Sequence, residues 1–206
     1  ELLTANTPNG KKISIMLEEI NFKYKVTKVN INKDEQFRPE FVKLSPFRKI
    51  PVIIDHENNL SLFESGAILI YLGEKSGKFY ENHNRTQINQ WLMGQMAYVG
   101  PMLGQHHQFH HYNPGKSKFG EERYFKISER IYRELDERLS SSEYLAGDLY
   151  TIADIATFPW IARHEWHDIG LKKFKNLTRW YKKIASRPAV QKGFDLLKKN
   201  EKIPEA

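Results

Sequence analysis

Two short segments constrain the fold of this chain more than any other feature. Pro51 stands where an apolar strand should begin, and an X-Pro bond is the kind that adopts the cis form at low cost, about 0.5–1 kcal/mol. We expect a cis bond before Pro51 that turns the backbone groups of Ile50 outward. Further along, Glu64 and Ser65 end a second apolar strand directly before an amphipathic helix.

The junction at Glu64 and Ser65 predicts a site for an amino-acid head group. A helix N-terminus offers unpaired N–H groups and the positive end of a dipole, so it suits a carboxylate. The Glu64 side chain can meanwhile take an ammonium group. Taken singly, Ser65 is explained by helix capping and Pro51 by the start of a strand. The hypothesis depends on the two segments occurring together.

The order of elements in residues 1–77 is that of a thioredoxin-like α/β fold, in which a sheet is flanked by helices. Apolar residues that recur with a period of two predict strands, and a period of 3.6 predicts helices. The predicted strands lie at 2–3, 24–31, 51–55 and 60–63. The predicted helices follow the turn at 7–10, begin at 39, and run over 65–75.

After a polar, aperiodic linker at 78–84, residues 85–206 are predicted to form an all-helical domain that contributes a pocket for a second substrate. The predicted helices span 85–104, 120–139, 152–164, 177–187 and 188–199, with a kink at Gly100 and Pro101 in the first. Thr151 and Asp154 fit a capping box at the start of the third of these helices, which explains both residues structurally. The predicted fold class is therefore a thioredoxin-like domain followed by a helical domain.

The composition excludes several kinds of chemistry. The chain has no cysteine, which removes disulfide frameworks, thiolate metal sites and a thiol nucleophile of the protein's own. It has no apolar run near the roughly 20 residues that span a bilayer, and its first residues lack a signal-peptide pattern. We therefore expect a cytoplasmic protein without a membrane partner.

The net charge of +7 is concentrated near the end of the chain. Residues 172–202 hold 11 Lys or Arg against two acids, a local balance of +9, so the remainder carries −2. A basic stripe of this kind is one signature of nucleic-acid binding. However, Leu177, Trp180, Tyr181 and Ile184 recur at helical spacing, so the charges are better interpreted as the solvated faces of two terminal helices.

Segments spread over nearly the whole chain resemble the glutathione transferase superfamily. Those that carry the resemblance are Lys-Ile-Pro-Val at 49–52, the junction and helix at 64–72, and the capped helix start at 151–154. Within the superfamily, Thr-Pro-Asn-Gly at 7–10 and the segments 36–41 and 100–105 resemble the bacterial nu class. That class is related to the globular domain of the fungal prion-type nitrogen regulator.

The resemblance implies a homodimer that binds glutathione and acts as a disulfide-bond reductase on a disulfide or electrophilic small molecule. By position, Glu64 would hold the γ-glutamyl ammonium group and Ser65 the carboxylate next to it. Pro51 would let the backbone of Ile50 pair with the cysteinyl unit. The remaining implied contacts are Lys49 and Gln36 at the glycyl carboxylate and Arg130 toward a second glutathione.

The resemblance also implies that Thr7 and Asn9 activate the glutathione sulfur. A hydroxyl, an amide N–H and a helix dipole lower a thiol pKa from about 8.5 toward neutrality. Thr7 is equally explained as an N-cap followed by Pro8 in the first helical turn, and the two roles are compatible. Thr4, at the end of the first strand, is a rival that we consider weaker because the match around Thr7 extends to both sides.

Without a protein cysteine, the expected reaction is exchange between bound glutathione thiolate and a disulfide, with weak transferase or peroxidase activity besides. The alternative from another functional class is a glutathione-binding regulatory module without catalysis. Either way, glutathione is the expected ligand and no metal is expected.

The histidine-rich run at 106–111 invites a metal hypothesis, because 106 with 110 and 107 with 111 share a helix face. No acid stands within the run and a Pro-Gly pair soon follows, so we expect it to shape the second substrate's pocket instead. His164 and His167 are one residue short of the H-E-x-x-H spacing and cannot share a helix face. We expect no metal there.

Overall fold

Four short strands form one mixed sheet in the N-terminal part of the chain. In the computed structural model, which describes residues 1–198 and 200–206, these are β1 (Leu2–Thr4), β2 (Val26–Lys28), β3 (Val52–Asp55) and β4 (Leu60–Phe63). The order across the sheet is β2-β1-β3-β4, with β1 and β2 parallel and the other pairs antiparallel. The Ile50–Pro51 bond is cis, as expected.

The strand predicted at 24–31 is shorter than expected. β2 is at the edge of the sheet and pairs with the three-residue β1, with Leu2 opposite Val26 and Thr4 opposite Lys28. A strand cannot extend past its hydrogen-bonding partner, so regular pairing ends at Lys28. Two 3₁₀ turns, Ile31–Lys33 and Glu35–Phe37, follow instead.

Three helices complete the thioredoxin-like part: α1 (Pro8–Ile20), α2 (Pro39–Leu44) and α3 (Ser65–Ser76). The spacing of Ile13, Met16, Leu17 and Ile20 predicts one apolar face for α1, which is buried, and Ile15 on another face is buried as well. This happens because α1 packs against α3 on one side and against helices of the C-terminal part on the other. A Cβ atom on Gly193 would lie 2.6 Å from the Ile15 Cα, so the last helix approaches the α1 backbone directly.

The C-terminal part is helical, as predicted. Its helices are α4 (Arg85–Gly94), α5 (Gly100–His106), α6 (Lys118–Ser140), α7 (Ile152–Ile161), α8 (Lys175–Ala185) and α9 (Pro188–Asp195). Among the described helices, none joins the length to the apolar character that crossing a bilayer requires. Residues 78–84 include the buried Tyr80, whose hydroxyl donates to Asn89; the boundaries placed around this segment stay predictions.

Two helix bounds differ clearly from the predictions. The helix predicted at 85–104 continues to Tyr112 through two π-type turns, Gln95–Val99 and His107–Tyr112, and the N–H of Gly100 donates to Gln95 five residues back. The helix predicted at 177–187 starts earlier because Asp136 of α6 accepts from the N–H groups of Asn176 at 2.8 Å and Leu177 at 2.9 Å.

Three further helix ends differ from the predicted positions. α6 begins before residue 120 because Ser117 caps it, accepting from the Gly120 N–H at 3.1 Å. α7 ends at Ile161, short of the predicted 164, and a series of turns follows. α9 ends at Asp195, and the predicted end at Lys199 lies outside the described residues.

Lys175, Arg179, Lys182 and Lys183 lie on α8 and Lys192 lies on α9, two helices whose apolar faces are buried, as the helical spacing predicted. Several basic residues near the end of the chain pair with acids on other elements. Arg179 and Lys183 share Glu143, and Arg187 pairs with Glu19 of α1 at 2.6 Å. The local positive charge therefore contributes to packing between elements.

The capping box at α7 is confirmed, and it also connects the helical part. Asp154 is fully buried. Its carboxylate accepts from the N–H and hydroxyl of Thr151, from the Leu145 N–H at 3.0 Å and from the Trp180 ring N–H at 2.8 Å. Burial raises the pKa of Asp154, and the four hydrogen bonds act in the opposite direction.

We expect Asp154→Ala to lower the free energy of unfolding by about 3 kcal/mol or more, because buried donors left without an acceptor each cost about 1–3 kcal/mol. Urea denaturation at fixed protein concentration measures this. Asp148→Ala, at an exposed acid six residues away, is the control and should stay within about 0.5 kcal/mol of the original. A loss for Asp154→Ala no larger than that of the control would contradict a structural role.

Candidate functional site

A cavity of about 290 Å³ lies where the two parts of the chain meet. The start of α1, the β4–α3 junction, the helix over 85–106 and the end of α7 all contribute to its wall. The lining residues that matter below are Asn9, Lys12, Glu64, Ser65, Gln95 and Trp160. Three of the residues singled out from the sequence, Asn9, Glu64 and Ser65, are thus brought together.

The β4–α3 junction presents an uncapped helix N-terminus. Glu64 occupies the N-cap position but makes no side-chain capping hydrogen bond, and its backbone is left-handed with φ of 69°. This conformation typically costs a residue other than glycine about 1 kcal/mol or more, a kind of strain that clusters at binding sites. Ser65 is the first helical residue, so its hydroxyl is not used for capping. The capping explanation for Ser65 is therefore wrong.

The Ser65 hydroxyl faces a buried lysine that sequence reasoning missed. The Lys12 side chain is fully buried, and its Nζ donates to Gln95 Oε1 at 2.6 Å and to Ser65 Oγ at 3.3 Å. Burial lowers the pKa of Lys12 well below its ordinary value, while the charge of Glu64 acts in the opposite direction. A signal was present in the sequence, since Lys12 lies one helical turn before the buried Met16 on α1.

Asn9 is held by a contact from the C-terminal part. Its Oδ1 accepts a hydrogen bond from the Trp160 ring N–H at 3.1 Å. This bond fixes which end of the amide faces the tryptophan and leaves the Asn9 NH₂ group available to donate. Gly66 lets the helix above approach closely, because a Cβ there would lie 2.8 Å from the Met96 sulfur.

Thr7 faces a different cavity, of about 440 Å³, that includes His107, Tyr112, Arg163 and Trp166. Its Oγ1 accepts from the Gly10 N–H at 3.1 Å, which confirms the N-cap interpretation. The hydroxyl hydrogen remains free to donate. The first turn of α1 therefore separates two cavities, one beside Thr7 and one beside Asn9.

Thr4 is fully buried beneath the start of α1. Its hydroxyl lies near the Ala5 carbonyl at 3.4 Å, and a Cβ on Gly10 would lie 2.5 Å from its Oγ1. It has no route to a ligand sulfur, so the structure favours Thr7 over Thr4.

The other predicted glutathione contacts lie outside the smaller cavity. Lys49 is exposed, and Ser45 holds the loop before Pro51 by donating to the Lys49 carbonyl at 2.8 Å. Gln36 Nε2 donates to the Ile31 carbonyl at 3.3 Å. Arg130 lies on α6 at a separate shallow cavity with Phe119 and Glu122, so the structure does not bring it to Asn9 or Ser65.

The histidine-rich run lies beside the larger cavity. His107 is buried, stacks on Trp160 with ring centres 6.0 Å apart, and stacks on His167 at 4.6 Å. Burial, and then the charge of Arg163, lowers the pKa of His107 to about 3. A neutral His107 and Tyr112 line the cavity beside Thr7, in agreement with a pocket-shaping role for part of the run.

Comparison with known proteins gives the family. The sequence model for the glutathione S-transferase N-terminal domain matches residues 2–74, and that for the C-terminal domain matches residues 102–188. The disulfide-bond oxidoreductase YfcG of Escherichia coli is 45% identical over 197 residues, which cover 92% of each chain.

Solved structures of glutathione transferases are similar to this chain as well. A glutathione transferase from Burkholderia graminis with two glutathione molecules bound per subunit is 40% identical with a TM-score of 0.90, over 96% of this chain and 88% of that one. One from Pseudomonas putida with one glutathione disulfide bound per subunit is 41% identical with a TM-score of 0.87, over 95% and 90%. Both domain models of the glutathione S-transferases match this chain, and its overall fold is that of the solved transferases. The chain therefore belongs to the glutathione transferase family.

Proposed function

We propose that this protein binds glutathione and uses it to reduce disulfide bonds. The observation that carries the proposal is the cavity beside Asn9, Glu64 and Ser65, which combines an acid, an uncapped helix N-terminus and an amide donor. The similarity to a bacterial protein named a disulfide-bond oxidoreductase supports the reaction class. The glutathione disulfide in the Pseudomonas structure supports a disulfide as ligand.

The charges around the cavity suit the γ-glutamyl end of glutathione. Glu64 makes no side-chain hydrogen bond or ion pair within the described residues, so its carboxylate is available to an ammonium group. The uncapped N–H groups of α3 and the Ser65 hydroxyl suit the neighbouring carboxylate. Lys12 lies behind Ser65 and adds a positive group that the bound carboxylate would favour. We propose that Lys12 strengthens this half of the site.

The rest of the glutathione molecule is assigned by family resemblance. The backbone of Ile50 beside the cis Pro51 would pair with the cysteinyl unit. Lys49 and Gln36 would attract the glycyl carboxylate, and Arg130 a second glutathione. Both Lys49 and Arg130 are exposed and free to reorient toward a ligand.

The proposed chemistry is thiol–disulfide exchange through bound glutathione. The Thr7 hydroxyl and the Asn9 amide donate to the glutathione sulfur, and the N-terminus of α1 adds its dipole, so the thiolate is favoured. The thiolate attacks the glutathione sulfur of a mixed disulfide. A new bond joins the two glutathione sulfurs, the old disulfide breaks, and the substrate sulfur leaves with the electron pair. The protein supplies position and charge.

We expect Thr7→Ala to lower kcat/KM for a hydroxyethyl disulfide substrate with glutathione by about 10- to 100-fold, because a hydrogen bond to a charged group contributes about 1.5–3 kcal/mol. Thr7→Ser keeps both the cap and the donor and should retain most activity. Asn9→Ala should lower the rate as Thr7→Ala does. Asn9→Asp keeps the Trp160 bond but loses the donor, so it should also be impaired.

If Asn9 acted only by holding Trp160, then Trp160→Phe would lower the reductase activity as much as Asn9→Ala does. Asn9→Asp, which keeps the Trp160 bond, would then be fully active. Activity that is absent in every form while glutathione still binds would make the protein a regulatory module instead. Conjugation of chlorodinitrobenzene should be the weaker activity in the original protein, and the reverse order would assign it to the conjugating transferases.

We expect Lys12→Met to raise the Kd for glutathione about tenfold, or about 1.4 kcal/mol, because the positive group behind Ser65 is lost. The fold should tolerate an apolar chain of similar length, since a buried charge is costly. Lys11→Met, at a neighbouring buried lysine that pairs with Glu201 instead, is the matched control for calorimetric titration. Equal Kd values for Lys12→Met and the original would exclude a part for Lys12 in binding.

We also propose a homodimer, as the family resemblance implies. Phe47 is 67% exposed on the loop that leads to Lys49 and Ile50, and an exposed aromatic of this size is typical of an interaction surface. Light scattering should give twice the 24.3 kDa of one chain. Phe47→Ser should shift this mass downward, whereas Leu149→Ser, at another exposed apolar residue, should not. A single-chain mass for the original would overturn the dimer.

A further inference from the structure

Three metal-ligating side chains from two distant segments meet on the C-terminal part, and none of them lines either cavity described above. They are His106 and His110, one helical turn apart, and Asp168, in the turn after α7. One ligand atom from each lies within 4.8 Å of the others, and His110 Nε2 is 2.6 Å from Asp168 Oδ2. We propose that His106, His110 and Asp168 bind a divalent transition-metal ion such as Zn²⁺.

The helix orients the two imidazoles. His106 is the last residue of α5 and His110 lies in the π-type turn that continues it, so both side chains project from the same side. Their rings stack with centres 4.8 Å apart and planes 25° apart. Phe125 of α6 flanks both rings at 6.0 and 6.3 Å. The pair therefore has an apolar wall behind it and the solvent side open.

The third ligand comes from a turn that is anchored on both sides. Asp168 has a left-handed backbone with φ of 52°. The preceding residue, His167, is buried. Its Nδ1 shares a hydrogen bond with the Tyr132 hydroxyl at 2.7 Å. Its ring stacks on that of His107, with the two planes 10° apart. These contacts hold the turn against the helix and keep Asp168 opposite His110.

His106 supplies an independent reason to expect a ligand. Its side chain is fully buried, and neither ring nitrogen makes a hydrogen bond of normal geometry with any described residue. A buried polar group without a partner is costly.

The donor set indicates the class of metal. Two imidazole nitrogens and one carboxylate oxygen suit Zn²⁺, Co²⁺, Ni²⁺ or Fe²⁺, whereas Mg²⁺ and Ca²⁺ prefer oxygen ligands and Cu⁺ prefers sulfur. The side chains of His110 and Asp168 are 36% and 60% exposed, which gives an ion access from solvent. Three protein ligands leave at least one coordination position for water.

The experiment titrates Co²⁺ into tag-free, chelator-treated protein without glutathione and records the visible absorption of the bound ion, with Zn²⁺ competition and calorimetry for stoichiometry. We expect one ion per chain. His110→Gln and Asp168→Asn change exposed side chains and should each weaken binding at least tenfold, with unchanged circular dichroism. Asp34→Asn, at another exposed left-handed aspartate, and His83→Gln, at another exposed histidine, are the matched controls and should bind as the original does.

Absence of a one-to-one Co²⁺ complex in the original protein would overturn the proposal. So would unchanged affinity in Asp168→Asn, since the carboxylate would then not be a ligand. As a second readout, Zn²⁺ should raise the melting temperature of the original protein and of Asp34→Asn but not of His110→Gln. An equal rise in all three would assign the binding to another place on the chain.

Discussion

The buried amino group of Lys12 constrains how the two parts of this protein fit together. A lysine this deep must be hydrogen-bonded, because a buried polar group without a partner is costly. Its two acceptors come from opposite sides of the interface: Ser65 from the α/β part and Gln95 from the helical part. Both hydrogen bonds of Lys12 can form only when the β4–α3 junction, the start of α1 and the helix over 85–106 meet. The same arrangement encloses the smaller cavity.

Other contacts across the same interface hold that arrangement. Trp160 donates to Asn9. Arg187 forms a two-bond ion pair with Glu19, at 2.6 and 2.8 Å, and Lys11 pairs with Glu201 at 2.7 Å. Arg–carboxylate pairs with this double contact have well-defined geometry as well as attraction. Since all of these bonds involve α1, the helix that begins at the proposed sulfur-binding turn is also the one most tightly tied to the C-terminal part.

The first turn of α1 separates two chemical environments. Beside Asn9 lie the acid and helix N-terminus that suit the head group of glutathione. Beside Thr7 lie aromatic side chains, including His107 and Trp166, together with the basic Arg163, and we propose that they receive a second substrate. In the proposed reaction the sulfur of glutathione would sit between these environments, at the turn itself. The residues of the proposed metal site, His106, His110 and Asp168, are not among those that line either cavity.

The sequence by itself determined the features that depend on neighbours along the chain. The cap at Thr7, the capping box at Thr151 and Asp154, and the apolar face of α1 follow from residue type and spacing, and Pro51 makes the cis bond before it accessible at low cost. The thioredoxin-like order and the helical second part follow from periodicity in the same way. Glu64 and Ser65 could be named because they sit at a helix start, where the chemistry is local, and Asn9 because the Thr-Pro-Asn-Gly turn resembles that of the nu class.

The tertiary structure alone decided what depends on residues far apart. Lys12 donates a hydrogen bond to Gln95, 83 positions away. The start of α8 is capped by Asp136, which lies on another helix. The histidine run contained no acid of its own, and folding brought Asp168 to it. In each case a buried or terminal polar group must find a partner, and the sequence shows that need without showing which distant residue will meet it.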